Sequence, residues 1–203
     1  MQSKRGWLIA FEGIDGAGKT TQVDLLAAAL REEGRNVVTT REPTDGPHGA
    51  KIRGLSSRGT PISLEDELEY FIADREEHVR ECIAPVLERG DVVITDRYYF
   101  SNVAYQGARG LSPAEILERN EKLFPPPTAV VLLELPASRG LGRVRSRGED
   151  LNRAYEQEDF LARVAEIYAG IERPYLVRVQ ATGSPQDVHS AVVRALEPLL
   201  EVR

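Results

Sequence analysis

The chain of 203 residues has a single cysteine, Cys82. That excludes an intrachain disulfide framework and any cysteine-rich metal centre, and suits a reducing compartment. Cys82 sits in a helical pattern, where a small, buried apolar role is expected. Long apolar runs are missing as well. The longest, Ala129 to Leu135, is far too short to span a bilayer. The apolar residues near the amino terminus read as a strand rather than a signal peptide, so a cytoplasmic protein without membrane contact is expected. Positive charge is in deficit, with a net charge of -6. Polymeric nucleic acid, which calls for clustered cations, is excluded as a partner; mononucleotides, which need only a local basic pocket, are not. Lysine is scarce, at positions 4, 19, 51 and 122 only, so the cations are nearly all arginine and Lys19 stands out. There is no internal repeat, low-complexity tract or long linker, and no Asn-Lys-x-Asp guanine motif.

What is present begins at residue 13. Gly13-Ile14-Asp15-Gly16-Ala17-Gly18-Lys19-Thr20, followed by Thr21, satisfies the phosphate-loop pattern G-x-x-x-x-G-K-[ST]. It lies between an apolar run, Trp7 to Phe11, and a helix-like run, Thr21 to Glu33, the strand–loop–helix setting the motif requires. Glycines let main-chain N–H groups converge on phosphate oxygens, and the helix that follows adds the positive end of its dipole. Lys19 supplies a charge for the outer phosphates and Thr20 a hydroxyl for Mg²⁺. This stretch binds a nucleoside triphosphate.

β-branched apolar runs alternate with helical periodicity along the whole chain, the signature of a parallel sheet with crossover helices. Strands are expected near 7–12, 36–40, 91–95, 129–135 and 175–180. Helices are expected near 18–33, 48–58, 63–89, 98–106, 112–123, 136–146, 156–172 and 185–200. Gly34 and Gly90 read as left-handed helix caps. Ser63 and Ser112 read as N-caps, and Pro85 should kink the third helix. One domain, 1–203, is expected, with a mobile lid near 141–156 where a polar, glycine-led stretch interrupts two arginine-bearing helices.

Further candidates gather at expected strand ends, where ligands of open α/β sheets sit. Asp96 and Arg97 follow the third strand. There a carboxylate can hold Mg²⁺ beside Thr20 and an arginine can grip an acceptor phosphate; an ordinary salt bridge is the alternative. Arg41-Glu42-Pro43 ends the second strand, equally compatible with a plain loop. Arg53 follows on a short helix. Phe71 and Arg75, one turn apart, could stack and read a base, or Phe71 could be core. Asn102, Tyr105 and Gln106 offer amide and hydroxyl groups suited to a neutral base and sugar, or form a polar helix face. Arg143, Arg145, Arg147 and Arg153 flank the polar interruption, where they could close over phosphates or form a solvated basic face.

Taken together, Phe11 through Thr21, Arg41-Glu42-Pro43, Phe71 with Arg75, Asp96-Arg97-Tyr98 and Ser101 through Gly107 resemble bacterial thymidylate kinases along nearly the whole chain. The resemblance implies a P-loop nucleoside monophosphate kinase fold with a five-stranded parallel sheet in order 2-3-1-4-5, a homodimer, and transfer of the ATP γ-phosphoryl group to dTMP. Carried over by position, residues 13–21 and Arg143 would bind ATP, with Thr20 and Asp96 at Mg²⁺. Phe71 would stack on thymine, Arg75 bond a base carbonyl and Asn102 meet the ring N–H. Gln106 would orient the base and Tyr105 lie against the deoxyribose. Arg97 and Arg53 would hold the dTMP phosphate, and Asp15 and Glu42 would place the acceptor and its metal–water shell. Lys19, Asp15, Arg97, Arg147 and Arg153 would form the catalytic set. Gly16 stands where some members carry an arginine, so the chain looks like the type whose catalytic arginine comes from the lid. Two departures appear. Asn152-Arg153-Ala154-Tyr155-Glu156 replaces the common Asp-Arg-x-Glu of the lid, and Glu134 stands where many relatives have Asp. The rival functions are a monophosphate kinase with a different base pocket and a P-loop switch ATPase.

Overall fold

The computed structural model describes residues 6–58, 62–145 and 154–201. Five strands form one parallel sheet: β1 (Trp7–Glu12), β2 (Val37–Arg41), β3 (Val92–Asp96), β4 (Ala129–Glu134) and β5 (Leu176–Gln180), in the order β2-β3-β1-β4-β5. The three central strands are almost wholly buried and the two edge strands only partly so. That is why the central strands read as unbroken apolar runs rather than alternating patterns. Register sets the site. Phe11 pairs with Asp96, Arg41 also pairs with Asp96, and Glu12 pairs with Leu132. The carboxyl ends of β1, β2 and β3 therefore finish level.

Helices α1 (Lys19–Glu32) and α9 (Pro185–Glu201) pack on each other and on the sheet. A second layer is built from α3 (Leu64–His78), α5 (Tyr99–Ala108), α6 (Pro113–Leu123) and α8 (Ala154–Ala169), with α5 touching the other three. Helices α2 (Pro47–Arg58) and α7 (Ala137–Arg145) pack on α3 and α8 respectively. Gly34 and Gly90 take the left-handed conformation. Ser63 caps α3 by accepting from the Asp66 N–H at 3.0 Å, and Ser112 caps α6 from Glu115 at 3.4 Å.

The segment expected as one kinked helix over 63–89 is instead three pieces: α3, a single π-helical stretch at Val79–Ile83, and α4 (Ala84–Glu88). Proline lacks an N–H, and its ring crowds the carbonyl one turn earlier. Widening that turn, with the Ala84 N–H bonded back to Val79 O, accommodates Pro85 within a helical run from Leu64 to Glu88. Cys82 lies in this stretch and is half-buried rather than core, with burial pushing its thiol pKa up. Among the described residues no helix is long and apolar enough to cross a membrane.

Candidate active site

The loop between β1 and α1 is shaped by backbone that a side chain would spoil. Gly16 has φ +80, and a Cβ there would run into the carbonyl of Gly140, at the start of α7. A Cβ on Gly140 would in turn lie 2.6 Å from Asp15 O. Loop and helix thus fit together through two residues without side chains. Gly18, at φ 94, precedes α1, and no side chain caps that helix. Its first N–H groups lack the side-chain acceptor that most helices provide, which leaves an anion-binding terminus. Lys19 is buried and folds back to donate to Gly13 O at 3.1 Å and Ile14 O at 3.0 Å. Burial first, and then the nearby Arg97, bring its pKa down to about 8; phosphate oxygens would reverse that shift by favouring the charged form. Arg143, one turn after Gly140, donates to Gly16 O at 3.1 Å and Ala181 O at 3.2 Å.

At the end of β3, Asp96 Oδ2 accepts from the Thr20 hydroxyl at 2.5 Å. The neighbouring Arg97 has φ 75, a left-handed conformation unusual for a residue with a Cβ. Such backbone costs roughly 1–3 kcal/mol and persists where surrounding contacts over-determine it. Here they do. The Arg97 N–H bonds Phe11 O at 2.9 Å and Thr95 Oγ1 donates to Arg97 O at 2.7 Å. Its guanidinium reaches Ser101 Oγ at 2.9 Å and Asp15 Oδ1 at 2.5 Å. Burial works to raise the Asp15 pKa, but Arg97 and Lys19 outweigh it and hold the group below the ordinary range.

Beneath Arg97 lies a carboxylate to which position-by-position reading gave no role. Glu12, the last residue of β1, is fully buried. Its Oε1 accepts from the Tyr98 and Ser101 N–H groups at 2.7 and 3.2 Å, and its Oε2 from Ser101 Oγ and the Tyr168 hydroxyl at 2.7 and 2.8 Å. Helix α5 has no cap from its own N-cap side chain; Glu12 supplies the anion from another element. Burial raises its pKa. The sequence signal was there, a carboxylate closing a wholly apolar strand.

Beside the loop runs a cavity of about 410 Å³, within the range of small-molecule sites, roughly 300–1,000 Å³. Phe71, Asn102, Tyr105 and Gln106 line it with Asp15, Arg97, Ser101 and Pro43. Four sequence candidates, on α3 and α5, are therefore brought together with the loop. Phe160 of α8 also lines it, its ring edge-on to Tyr105 at 6.0 Å between centroids; no local pattern distinguishes Phe160 from a core residue.

Three candidates stand elsewhere. Arg75 is 1% exposed and lies behind the cavity wall. Its Nε and one terminal nitrogen grip Glu42 Oε2 at 2.9 and 2.6 Å, while the two terminal nitrogens reach Asn120 Oδ1 at 2.8 Å and Asn102 Oδ1 at 2.7 Å. Glu42 borders the cleft, but its carboxylate is turned inward, with Oε1 accepting from His78 Nδ1 at 3.0 Å. Burial raises the Glu42 pKa, yet Arg75 and His78 override it and the net shift is downward. Arg53 spans Pro43 O and Thr44 O at 3.1 and 2.6 Å and pairs with Asp45 at 3.2 Å. Asp74 fixes the same turn by accepting from Thr44 N at 2.8 Å and Thr44 Oγ1 at 2.6 Å. These groups shape the segment carrying Pro43. Arg147 and Arg153, with most of the expected lid, lie outside the described residues.

A phosphate loop at the end of β1, a carboxylate with a hydroxyl beside it, and an aromatic- and amide-lined cavity opening toward both define a P-loop kinase of small nucleotides. Comparison with known proteins narrows this. The family model "Thymidylate kinase" matches residues 11–192. Thymidylate kinase of Desulfotalea psychrophila is 41% identical over 203 residues, covering 100% of both chains. That of Xanthomonas oryzae pv. oryzae is 47% identical over 195 residues, covering 94% of this chain and 85% of its own. A crystal structure of thymidylate kinase from Ehrlichia chaffeensis superposes with a TM-score of 0.77 at 29% identity, covering 95% of this chain and 99% of that one. The chain belongs to the thymidylate kinase family.

Proposed function

We infer that the protein phosphorylates dTMP to dTDP with ATP as donor, holding the acceptor in the cavity along α5. The observation that carries this is the cavity itself. It has Phe71, Asn102 and Gln106 to meet a pyrimidine, and Arg97 with Asp15 where it meets the phosphate loop. Phosphoryl transfer asks for positioning and electrostatic stabilisation more than for covalent help. In this reading an acceptor phosphate oxygen forms the new bond to the γ-phosphorus as the bond to the β-phosphate bridge breaks. Arg97 exchanges Asp15 for the acceptor phosphate and fixes the attacking oxygen. Lys19 leaves the loop carbonyls for the donor phosphates, and Arg143 caps the loop on the α7 side.

Family members generally use Mg-ATP. Thr20 and Asp96 fit such an ion: two oxygen donors in contact at the anion-binding end of α1 suit a cation that keeps water and phosphate oxygens as its remaining ligands. When bound, the ion supplies charge neutralisation on the donor phosphates. Gly16, with no room for a side chain, supports supply of the catalytic arginine from the lid by Arg147 or Arg153. Such an arginine is worth on the order of 10³–10⁵ in rate, so near-normal turnover in the Arg147→Ala/Arg153→Ala double variant would overturn the assignment. Family membership also supports a homodimer, for which sedimentation velocity is the test.

Selectivity follows from Asn102. Its Oδ1 is aimed by Arg75 and its amide nitrogen lies 3.2 Å from Gln106 Oε1. A free lone pair on Oδ1 can accept the ring N–H of thymine, whereas cytosine presents an acceptor at the same atom. A coupled assay with MgATP across dTMP, dUMP, dCMP, AMP and GMP tests the reading. dUMP should be slower by roughly 10–200-fold, the usual worth of one buried methylene or methyl, and dCMP should be rejected more strongly. A preference for dCMP, or ATP hydrolysis indifferent to any monophosphate, would defeat it.

A further inference from the structure

Helix α5 sets the length of the cavity. Ser101, Asn102, Tyr105, Gln106 and Arg109 all line it, a spacing that keeps one helical face toward the cavity from Ser101 to Arg109, about 12 Å at 1.5 Å per residue. Arg97 and Asp15 mark the end beside the phosphate loop. At the opposite end Arg109 pairs with Glu67 across the gap between α5 and α3. Each charge sits where its helix favours it: Glu67 in the first turn of α3, Arg109 capping the carboxyl end of α5. The pair is partly exposed, with side chains 40% and 20% accessible for Arg109 and Glu67. Exposed pairs of this kind contribute little to stability. Stability alone gives little reason for it. The comparable pair Arg119–Glu69 lies outside the cavity.

We propose that the Arg109–Glu67 pair is the end wall of the acceptor cavity and sets acceptor length, admitting a single pyrimidine ring and excluding purine nucleotides. The proposal rests on the cavity being the acceptor site. With the phosphate held at Arg97 and the base beside Phe71 and Asn102, a bicyclic base would have to displace the pair, breaking the ion pair and stranding both charges against an uncharged ring edge.

The test compares kcat/KM for dGMP and dAMP with kcat/KM for dTMP. It uses the full chain carrying Arg109→Ala, Glu67→Ala, or the exchange Glu67→Arg/Arg109→Glu, with Arg119→Ala as control. Removing either partner should raise the purine-to-dTMP ratio by about 10-fold or more, the scale on which a pocket rejects extra ring atoms. The exchange, which rebuilds the wall with charges swapped, should lower that ratio again. A pair that only ties α3 to α5 would depress all acceptors together and leave the ratio fixed, which overturns the proposal. Should an alanine variant fold poorly, Arg109→Gln and Glu67→Gln give the same readout. Phe71→Ala, measured alongside, separates the two levels. A raised KM for dTMP with an unmoved purine ratio sinks the end wall alone; an unmoved KM sinks the acceptor cavity beneath it.

Discussion

The donor and acceptor halves of this site are built in opposite ways. The donor half centres on one continuous run, residues 13–20, where main-chain N–H groups set by glycine and by the start of α1 act together with the Lys19 and Thr20 side chains. The acceptor half draws on β1, β2, β3, α3, α5 and α8, and its useful groups are side chains. Those side chains stand on a buried layer of charge: Arg75 between Glu42, Asn102 and Asn120, with Glu42 also tied to His78. A backbone site tolerates few changes of shape. A side-chain site tolerates shape changes better, but depends on charges that cannot be left alone in the interior. The difference implies that lesions in the buried charge layer behind the acceptor cavity should unfold the protein, while lesions in the donor half should mostly silence it.

The largest effect that would break this contrast is Glu42→Ala. Removing one partner of a buried ion pair costs about 3–5 kcal/mol, so the melting temperature should fall sharply at neutral pH. The pH dependence has a definite sign. The Glu42 pKa is lower in the folded than in the unfolded chain, so its stabilisation is fully present above the ordinary carboxylate value and is lost as pH falls through the depressed one. The gap between wild type and variant in denaturant titrations should therefore shrink in acid. A gap that widens there would show that Glu42 is not acting as an ion-pair partner.

Next comes Lys19→Ala. Losing one preorganised cation should lower kcat by about 10²–10³ with little change in melting temperature, since Lys19 otherwise bonds only loop carbonyls. Extensive unfolding would contradict the idea that the donor half is held by backbone. Gly140→Ala sharpens the point with one methyl. Its Cβ would press on Asp15 O, and overpacking of this kind costs about 1–3 kcal/mol. Calorimetry should show weaker MgATP binding with dTMP binding nearly intact. The smallest effect is Phe71→Ala. A base–aromatic stack is worth roughly 1–3 kcal/mol, which should appear in the KM for dTMP and spare the KM for ATP.

Legibility followed the same division. The sheet could be read because its central strands are buried on both faces and so stay apolar throughout, and its order was implied by the family resemblance. The phosphate loop could be read because its chemistry is local. On α5, Asn102, Tyr105 and Gln106 were found because one helical face carries them all. Glu12, Asp74, His78 and Phe160 were passed over. Apart from Glu12, a carboxylate closing an apolar strand, each has an ordinary local setting, and the importance of these groups comes from a partner 30 or more positions distant for Asp74 and His78, and 86 or more for Glu12. Arg75 was singled out as a group on the cavity surface and proves to lie behind it, because burial of a guanidinium depends on what stands opposite. The π-helical turn before Pro85 was not foreseen, since the residue that forbids a regular helix does not say how the backbone will relax.

By itself the chain determined its strands, its helices, its anion-binding loop and its allegiance to the thymidylate kinase family, because these follow from periodicity and from contiguous motifs. Only the folded molecule decided which charges face a ligand and which hold up the wall. It placed Glu12 beneath α5, turned Glu42 and Arg75 away from the cavity, and set Gly140 against Gly16. Those outcomes depend on which surfaces meet across the core, and a buried charge takes its role from the partner that tertiary packing brings to it.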